Sequence, residues 1–267
     1  MKKNSKLSIG IVGLGYVGTA VASSYPNHEI LINDPKHPKL SIDVKVLKFR
    51  CSAIFVCVPT PSMPSGECDT SILESVIESL NGYKGIVICK STAPPLSYKK
   101  LERKYDLKLA HVPEFLTQSR AVYDYLNPHK ILVGCKKKLR KSVTEILTRS
   151  AINFEKVKIE YCSIAEASFF KYMANNLLAI KVVVNNEFYD LASSMGLDWN
   201  VLSSIAKTDY RLGSTHWDVP GPDGERGFGG ACFPKDTEAF RYIGNQCSVD
   251  LSVLKSVIEK NENYRKE

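Results

Sequence analysis

The sequence predicts an α/β fold: a Rossmann-like, doubly wound parallel sheet, followed by an all-helical central region. Three observations support this prediction. Short apolar strands alternate with helical segments, a glycine-rich loop joins the first strand to the first helix, and the strand signal ends near residue 160. We therefore predict two domains, residues 1–160 and residues 161–267.

The first strand and the loop after it carry the most specific local pattern. Leu7–Val12 is a short apolar run, and a GxGxxG loop and a helical segment follow it. Gly13 permits a tight turn, Gly15 lets a pyrophosphate approach the backbone, and Gly18 lets the helix pack closely on the strand. Tyr16 and Val17 complete this predicted cofactor-binding loop. The alternative is a glycine turn in an α/β protein without a cofactor.

The second strand predicts which dinucleotide is bound. Glu29–Asn33 reads as a strand, and Asp34 follows it. A carboxylate about 20 residues beyond the glycine loop accepts hydrogen bonds from ribose hydroxyls and repels a 2′-phosphate. Lys36 moderates that preference. We therefore predict NAD as the cofactor of the first domain.

The remaining elements continue the alternation and then change to helices. Further strands are predicted at 52–58, 85–89, 107–111 and 130–134. Asp69 is predicted to cap a helix over 70–80, and a lysine-rich run near 136–141 is predicted to start another helix. Residues 163–194 contain neither glycine nor proline and predict one long helix, with a second over 200–208.

Composition is ordinary for a globular enzyme. The 267 residues are 44% hydrophobic and 24% charged, with a formal charge of +8 from scattered basic residues. No nucleic-acid motif accompanies that charge, which suits an anionic small substrate equally well. The eight cysteines show no CxxC pair, and no apolar run reaches membrane-spanning length. We expect reduced thiols, a cytoplasmic location, no nucleic-acid or membrane partner and no metal site.

A glycine-rich run near the end of the chain surrounds one cysteine. Gly227–Asp236 has the sequence GFGGACFPKD. Pro234 suits the first turn of a helix, so Cys232 is predicted just before a helix N-terminus, where the dipole favours a thiolate. Asp236 follows within about one helical turn. This pattern indicates an activated nucleophile; the alternative is a glycine-rich turn with an incidental cysteine.

Taken in order along nearly the whole chain, these motifs resemble the UDP-glucose/GDP-mannose dehydrogenase family. The segments that carry the resemblance are Gly13–Gly18, Val56–Pro61, Lys90–Thr92, Pro113–Leu116, the helix positions Lys171, Asn175, Asn186 and Glu187, Arg211–Gly213, and Gly227–Asp236.

The resemblance implies an oxidoreductase of polysaccharide biosynthesis that oxidises a nucleotide sugar, with UDP-glucose expected, to the carboxylate. Two NAD molecules would be used in turn. Cys232 would trap the aldehyde as a thiohemiacetal and then carry the thioester. Asp236 and Lys171 would handle the proton and the alkoxide, and Glu114 would be the base for hydrolysis. Thr92 and Asn175 would hold the C6 oxygen or the attacking water.

The resemblance also assigns binding residues. It places Pro59, Thr60, Thr92 and Lys235 at the cofactor, in addition to the glycine loop and Asp34. It places Glu114, Phe115, Leu116, Lys171, Asn175, Arg211, Phe228 and Gly229 at the substrate. The family's central helices form a dimer, and we expect a homodimer with apolar surface from Val182, Val183, Val184, Phe188, Leu191 and Ala192.

Several positions depart from the family pattern. The sequence ends at Glu267, where family members continue into a second Rossmann-like domain that grips the nucleotide. Three explanations stay open for this difference: a separate partner chain supplies the domain, the sequence is truncated, or a compact variant does without it. Gln118 replaces a second glutamate, Lys130 replaces an arginine, and the connection from Asp34 to Ser52 is short. Two alternatives stay open: a sibling enzyme for GDP-mannose or a UDP-N-acetyl-hexosamine, and a non-catalytic NAD-binding subunit.

Overall fold

The computed structural model describes residues 6–155 and 157–266, which form two compact units. The first unit comprises the described residues through Pro61 and Asp69–Lys171; the second comprises Ser62–Cys68 and the described residues from Tyr172 onward. The boundary near residue 160, predicted where strands give way to helices, differs from this division and stays a prediction.

The first unit is built on a seven-stranded sheet of order β2-β1-β3-β4-β5-β6-β7. The strands are β1 (Ser8–Val12), β2 (Glu29–Asn33), β3 (Ala53–Val56), β4 (Ile86–Cys89), β5 (Lys108–His111), β6 (Lys130–Cys135) and β7 (Lys158–Cys162). All neighbours pair in parallel except β5 and β6. The chain moves outward from β1 in both directions, which confirms the predicted doubly wound, mostly parallel sheet.

Helices cover this sheet, and apolar clusters lie against it. The helices are α1 (Tyr16–Ser23), α2 (Val44–Arg50), α3 (Ser71–Ser79), α4 (Pro95–Lys104), α5 (Ala121–Leu126) and α6 (Arg140–Leu147). One cluster contains Ile9, Ile11 and Phe55, and another contains Val12, Ile54 and Val56. Residues of β1 and β3 thus enter both clusters, because successive side chains of a strand point to opposite faces.

The second unit is helical, as predicted for the later part of the chain. The long helix α7 spans Ile164–Ser194, so its residues through Lys171 belong to the first unit and the remainder to the second. Helices α8 (Trp199–Thr208), α9 (Phe233–Gln246) and α10 (Ser252–Tyr264) follow in the second unit. A capping box starts α7: the Glu166 N–H donates to Ser163 Oγ at 3.2 Å, and the Ser163 N–H donates to Glu166 Oε2 at 2.7 Å. No helix among the described residues is both long and apolar enough to cross a bilayer.

A short segment from early in the chain belongs to the second unit. Ser62 and Cys68 form an antiparallel bridge, and the Tyr242 hydroxyl donates to Glu67 Oε2 at 3.0 Å. Cys68 packs in a cluster with Tyr172, Ala239 and Phe240. The sequence pattern showed this segment only as a loop.

Four local features correct the sequence prediction. The helix predicted over 70–80 is Ser71–Ser79 with Thr70 at its N-cap, so Asp69 lies one residue outside and accepts from the Ser71 N–H at 2.8 Å. Strand β7 was missed because its exposed edge carries the charged Lys158 and Glu160. Helices α2 and α5 were missed because each has only two turns and a weak apolar pattern.

Candidate active site

The glycine loop of the first unit has the geometry of a phosphate-binding turn. Gly13 has φ of 91°, and a Cβ there would meet the carbonyl oxygen of Cys57 at 2.7 Å. A Cβ on Gly18 would collide with the Gly13 carbonyl oxygen. A Cβ on Gly15, by contrast, would find no atom within 4 Å. Other atoms therefore fill the space that a side chain would need at Gly13 and Gly18, whereas the space beside Gly15 is open.

Asp34 ties this loop to the end of β2. Its Oδ2 accepts from the Leu14 N–H at 2.6 Å, and its Oδ1 accepts from the Lys36 N–H at 2.7 Å. Burial alone would raise the pKa of Asp34, but these two donors, with the nearby His37 and Lys36 charges, outweigh burial and lower it. Asp34 is thus held as a carboxylate beside the open loop, and its contact with the ribose of a dinucleotide stays a prediction.

The loops after β3 and β4 are joined to each other. The buried hydroxyl of Thr60 donates to the Thr92 carbonyl oxygen at 2.5 Å, and the Ser91 hydroxyl donates to the Val58 carbonyl oxygen at 2.7 Å. Pro59 is exposed beside Thr60. The structure therefore brings together Pro59, Thr60 and Thr92, which were predicted to contact the cofactor, at the carboxyl edge of the sheet.

Glu114 has a partner that the sequence prediction missed. Lys90, the residue after β4, forms an ion pair with Glu114 Oε1, and the two side chains are only 3% and 14% exposed. The Lys90 ammonium also lies 4.9 Å from the ring centroid of Tyr125. The available signal was a lysine between an apolar strand and Ser91-Thr92, where a buried ammonium needs a carboxylate.

Aromatic rings surround the cations near Glu114. The Lys171 ammonium lies 5.2 Å from the Phe115 ring centroid, and Lys130 lies 4.8 Å from the same centroid and 4.1 Å from that of Phe170. Lys171 is half-buried. Leu116 is half-buried and packs against the first apolar cluster.

In the second unit, Asp236 joins two predicted site residues. Asn175 Nδ2 donates to Asp236 Oδ2 at 2.6 Å, and the Lys235 ammonium donates to Oδ1 at 2.5 Å. The Asp236 side chain is 2% exposed, so the Lys235 ammonium and the Asn175 amide supply the hydrogen bonds that a buried polar group requires. Asn175 lies one turn along α7 from Lys171, which places both on one side of that helix.

Cys232 occupies the predicted position at a helix start. It is the N-cap residue of α9, Pro234 lies in the first turn, and the Cys232 side chain is exposed. Its backbone carbonyl accepts from the Asp236 N–H at 2.9 Å, so Cys232 and Asp236 stand one helical turn apart. The eight cysteines, all within the described residues, form no disulfide.

Two asparagines, whose roles the sequence prediction missed, fix the glycine run before Cys232. Asn261 of α10 clamps Phe228: its Oδ1 accepts from the Phe228 N–H at 2.6 Å, and its Nδ2 donates to the Phe228 carbonyl at 3.0 Å. Asn186 Oδ1 accepts from the Gly227 N–H at 3.3 Å. Both asparagines are buried, whereas Gly229 is half-buried. Buried asparagine side chains thus hold the backbone of Gly227 and of the predicted substrate-binding residue Phe228, next to Gly229.

Arg211 stands apart from the Asp236 group in the contacts described. Its guanidinium pairs with Asp209, through Nε–Oδ1 at 2.9 Å and Nη2–Oδ2 at 2.5 Å, and the residue is exposed. The following turn is held by Lys181, whose ammonium donates to the carbonyls of Leu212 and Thr215 at 3.0 and 2.5 Å. A substrate-binding role for Arg211 stays a prediction.

The doubly wound sheet, the open glycine loop and the carboxylate at the end of β2 define a dinucleotide-binding protein of the dehydrogenase class. Residues 28–152 match the UDP-glucose/GDP-mannose dehydrogenase family, NAD binding domain, and residues 165–263 match its central domain. The chain belongs to the UDP-glucose/GDP-mannose dehydrogenase family, whose members are NAD-dependent oxidoreductases of nucleotide sugars.

Individual relatives support this assignment. UDP-glucose 6-dehydrogenase of Rickettsia bellii is 29% identical over 96% of this chain and 67% of its own length. The protein of the same name from Rickettsia felis is 28% identical over 96% of this chain and 65% of its own length. A UDP-glucose dehydrogenase structure from Pyrobaculum islandicum, 24% identical, shares the fold with a TM-score of 0.83, covering 98% of this chain and 69% of its own. The chain therefore spans about two thirds of these relatives.

Proposed function

We propose that this chain carries the NAD-binding and catalytic residues for oxidation of the C6 hydroxyl of UDP-glucose to the carboxylate of UDP-glucuronate. The observation that carries the proposal is the exposed Cys232 one helical turn before the buried, doubly hydrogen-bonded Asp236. A thiol can hold the aldehyde between two hydride transfers, which is what a four-electron oxidation requires.

The cofactor side of the proposal rests on the first unit. NAD, when bound, accepts each hydride from the substrate carbon. The open space above Gly15 would admit the pyrophosphate, and Asp34 would accept from the ribose hydroxyls. Thr60 and Thr92, already joined through their loops, would line the same edge.

The first oxidation would use the groups on α7 and α9. Asp236, acting through a water, would take the hydroxyl proton, and the Lys171 ammonium would stabilise the alkoxide. The Cys232 sulfur would then bond to the aldehyde carbon and give a thiohemiacetal. After the second hydride transfer, water would attack the thioester with Glu114 as base, and the C–S bond would break to release the carboxylate and the Cys232 thiol.

Assembly and location belong to the same proposal. Phe188 and Leu191 of α7 are 52% and 60% exposed, which favours a homodimer through the central helices. Val183 and Ala192, however, are buried in apolar clusters of the second unit, so these two predicted contacts are explained by the core. We keep the cytoplasm as the expected location and a nucleotide sugar as the expected ligand.

The test is NADH formation by the purified chain with NAD and UDP-glucose. We expect about two NADH per sugar, because the reaction removes four electrons. Cys232→Ser should abolish or stall turnover, whereas Cys247→Ser, at another exposed cysteine, should not. NAD binding without turnover would favour the non-catalytic subunit, and turnover only with GDP-mannose or a UDP-N-acetyl-hexosamine would favour a sibling enzyme.

A further inference from the structure

Burying the Lys90–Glu114 ion pair costs free energy, so the pair is a poor way to stabilise the fold. Their side chains are 3% and 14% exposed. Removing two charges from water costs several kcal/mol per ion in real proteins, and well-packed apolar residues of similar volume are often as stable or more so. A pair kept at the carboxyl edge of the sheet, beside predicted catalytic residues, therefore calls for a functional explanation.

Hydrogen bonds hold the backbone on both sides of the ion pair. The Lys90 N–H donates to the Val56 carbonyl of β3 at 2.8 Å, and the Tyr98 hydroxyl fixes the next residue by donating to the Ser91 carbonyl at 2.6 Å. On the other side, the Val112 N–H donates to the Cys89 carbonyl at 2.9 Å, shortly before Glu114. The backbone at Lys90 is thus held by β3, β4 and α4, and its ammonium is held by the contact with Glu114.

Further ionisable groups lie near the pair. They include the Cys57 thiol after β3, the His111 imidazole on β5 and the Tyr125 hydroxyl on α5. Burial, and then the Glu114 charge, raise the pKa of Tyr125, while burial lowers the pKa of His111 to about 3. Lys90 is in direct contact with Glu114.

We propose that Lys90 is a positioning residue that holds the Glu114 carboxylate through Oε1, so that its second oxygen takes the proton from the hydrolytic water. This inference rests on the proposed function. In that step the water oxygen bonds to the thioester carbon, the C–S bond breaks, and its electron pair leaves on the Cys232 sulfur. The proton released by the water passes to Glu114. Lys90 itself, at 3% side-chain exposure, contacts no substrate.

The reaction step that slows when Lys90 is replaced identifies the role of Lys90. If Lys90 orients the base, Lys90→Met should leave both hydride transfers intact and slow only hydrolysis. We expect a burst of about two NADH per site, then turnover reduced roughly 10²-fold, the cost of misplacing a reacting group by about 1 Å. Intact-protein mass spectrometry should then find the acyl group on Cys232. A purely structural role would not produce this adduct.

Three further variants serve as comparisons for Lys90→Met. Lys90→Arg keeps a cation and should restore turnover to within about tenfold of wild type. Lys90→Met combined with Glu114→Gln should be no slower than Glu114→Gln alone, because both act on one group. Lys99→Met, at an exposed lysine of α4, should behave as wild type.

The outcomes that overturn the inference are distinct. Wild-type turnover in Lys90→Met, or lost turnover in both Lys90→Met and Lys90→Arg without an acyl adduct, would remove the positioning role while leaving the proposed function in place. If Lys90→Met does not fold, Lys90→Gln, which also lacks the cation, replaces it. A lower kcat at unchanged KM with the acyl adduct then supports the role, and a lower kcat without the adduct, or wild-type kcat, overturns it. A wild-type chain that forms no NADH would overturn both proposals.

Discussion

The atoms next to each glycine of the loop determine whether that position can carry a side chain. A Cβ at Gly18 would strike the Gly13 carbonyl, whereas a Cβ at Gly15 would enter open space. Gly15 also has φ of −73°, which any residue can adopt. The same GxGxxG pattern thus contains two glycines that packing requires, Gly13 and Gly18, and one, Gly15, that packing does not require.

This difference can be measured with two matched variants. Gly18→Ala should lower the free energy of unfolding by about 1–3 kcal/mol through overpacking and should weaken NAD binding. Gly15→Ala should leave the melting temperature unchanged and weaken NAD binding alone. Thermal unfolding and NAD titration would check both. A Gly15→Ala protein that binds NAD as tightly as wild type would contradict the proposed place of the pyrophosphate.

His111 makes the stability of the first unit depend on pH. It is fully buried, its Nδ1 lies 3.0 Å from the Cys89 carbonyl oxygen, and its ring stacks on Tyr98 at 4.4 Å. Burial lowers its pKa to about 3, below the value of about 6.5 for an unfolded chain. The unfolded state therefore binds the proton first, and stability is lost as pH falls from about 6.5 toward 3.

The predicted slope is up to about 1.4 kcal/mol per pH unit over that interval. His111→Phe should flatten the decline of the unfolding free energy between pH 6.5 and about 4, measured by urea unfolding at several pH values. His129→Gln, at an exposed histidine, should keep the wild-type slope. An unchanged slope in His111→Phe would show that other groups govern the acid response.

At the scale of elements, the Asn261 side chain of α10 holds the glycine run before Cys232. The Asn261 side chain supplies both the acceptor and the donor for the buried Phe228 backbone. Asn261→Ala would leave both groups unsatisfied, at about 1–3 kcal/mol each. We expect faster hydrogen exchange at the Phe228 amide and a lower melting temperature. Asn263→Ala, an exposed asparagine on the same helix, should change neither.

The individual helices, strands and loops show how much of the fold and of the candidate site could be predicted from the sequence. The glycine loop and the long α7 follow from local rules, because turn chemistry and a stretch without glycine or proline act within a few residues. Strand β7 escaped because an edge strand with Lys158 and Glu160 lacks an apolar run. The Lys90–Glu114 and Asn261–Phe228 contacts escaped because each depends on residues far apart in sequence that only the fold brings together.

At the scale of the whole molecule, the exposed apolar face of α7 predicts assembly. Phe188→Glu with Leu191→Glu should convert a homodimer to a monomer of about half the mass, because a twofold interface would bury each residue twice. Light scattering after size-exclusion chromatography would measure it. Phe49→Glu, at a 91% exposed phenylalanine of α2, serves as the control. A wild-type monomer, or a dimer that survives both changes, would refute this interface.

The route of the chain between its two units has a consequence for protein engineering. Ser62–Cys68 belongs to the helical unit although the polypeptide on both sides of it builds the sheet. A single cut after Lys171 would therefore strip the helical half of its Glu67–Tyr242 bond and of Cys68 in its core. Neither half can be swapped into a chimaera as one uninterrupted gene fragment, so shuffling between related enzymes has to exchange residues 62–68 together with the later helices.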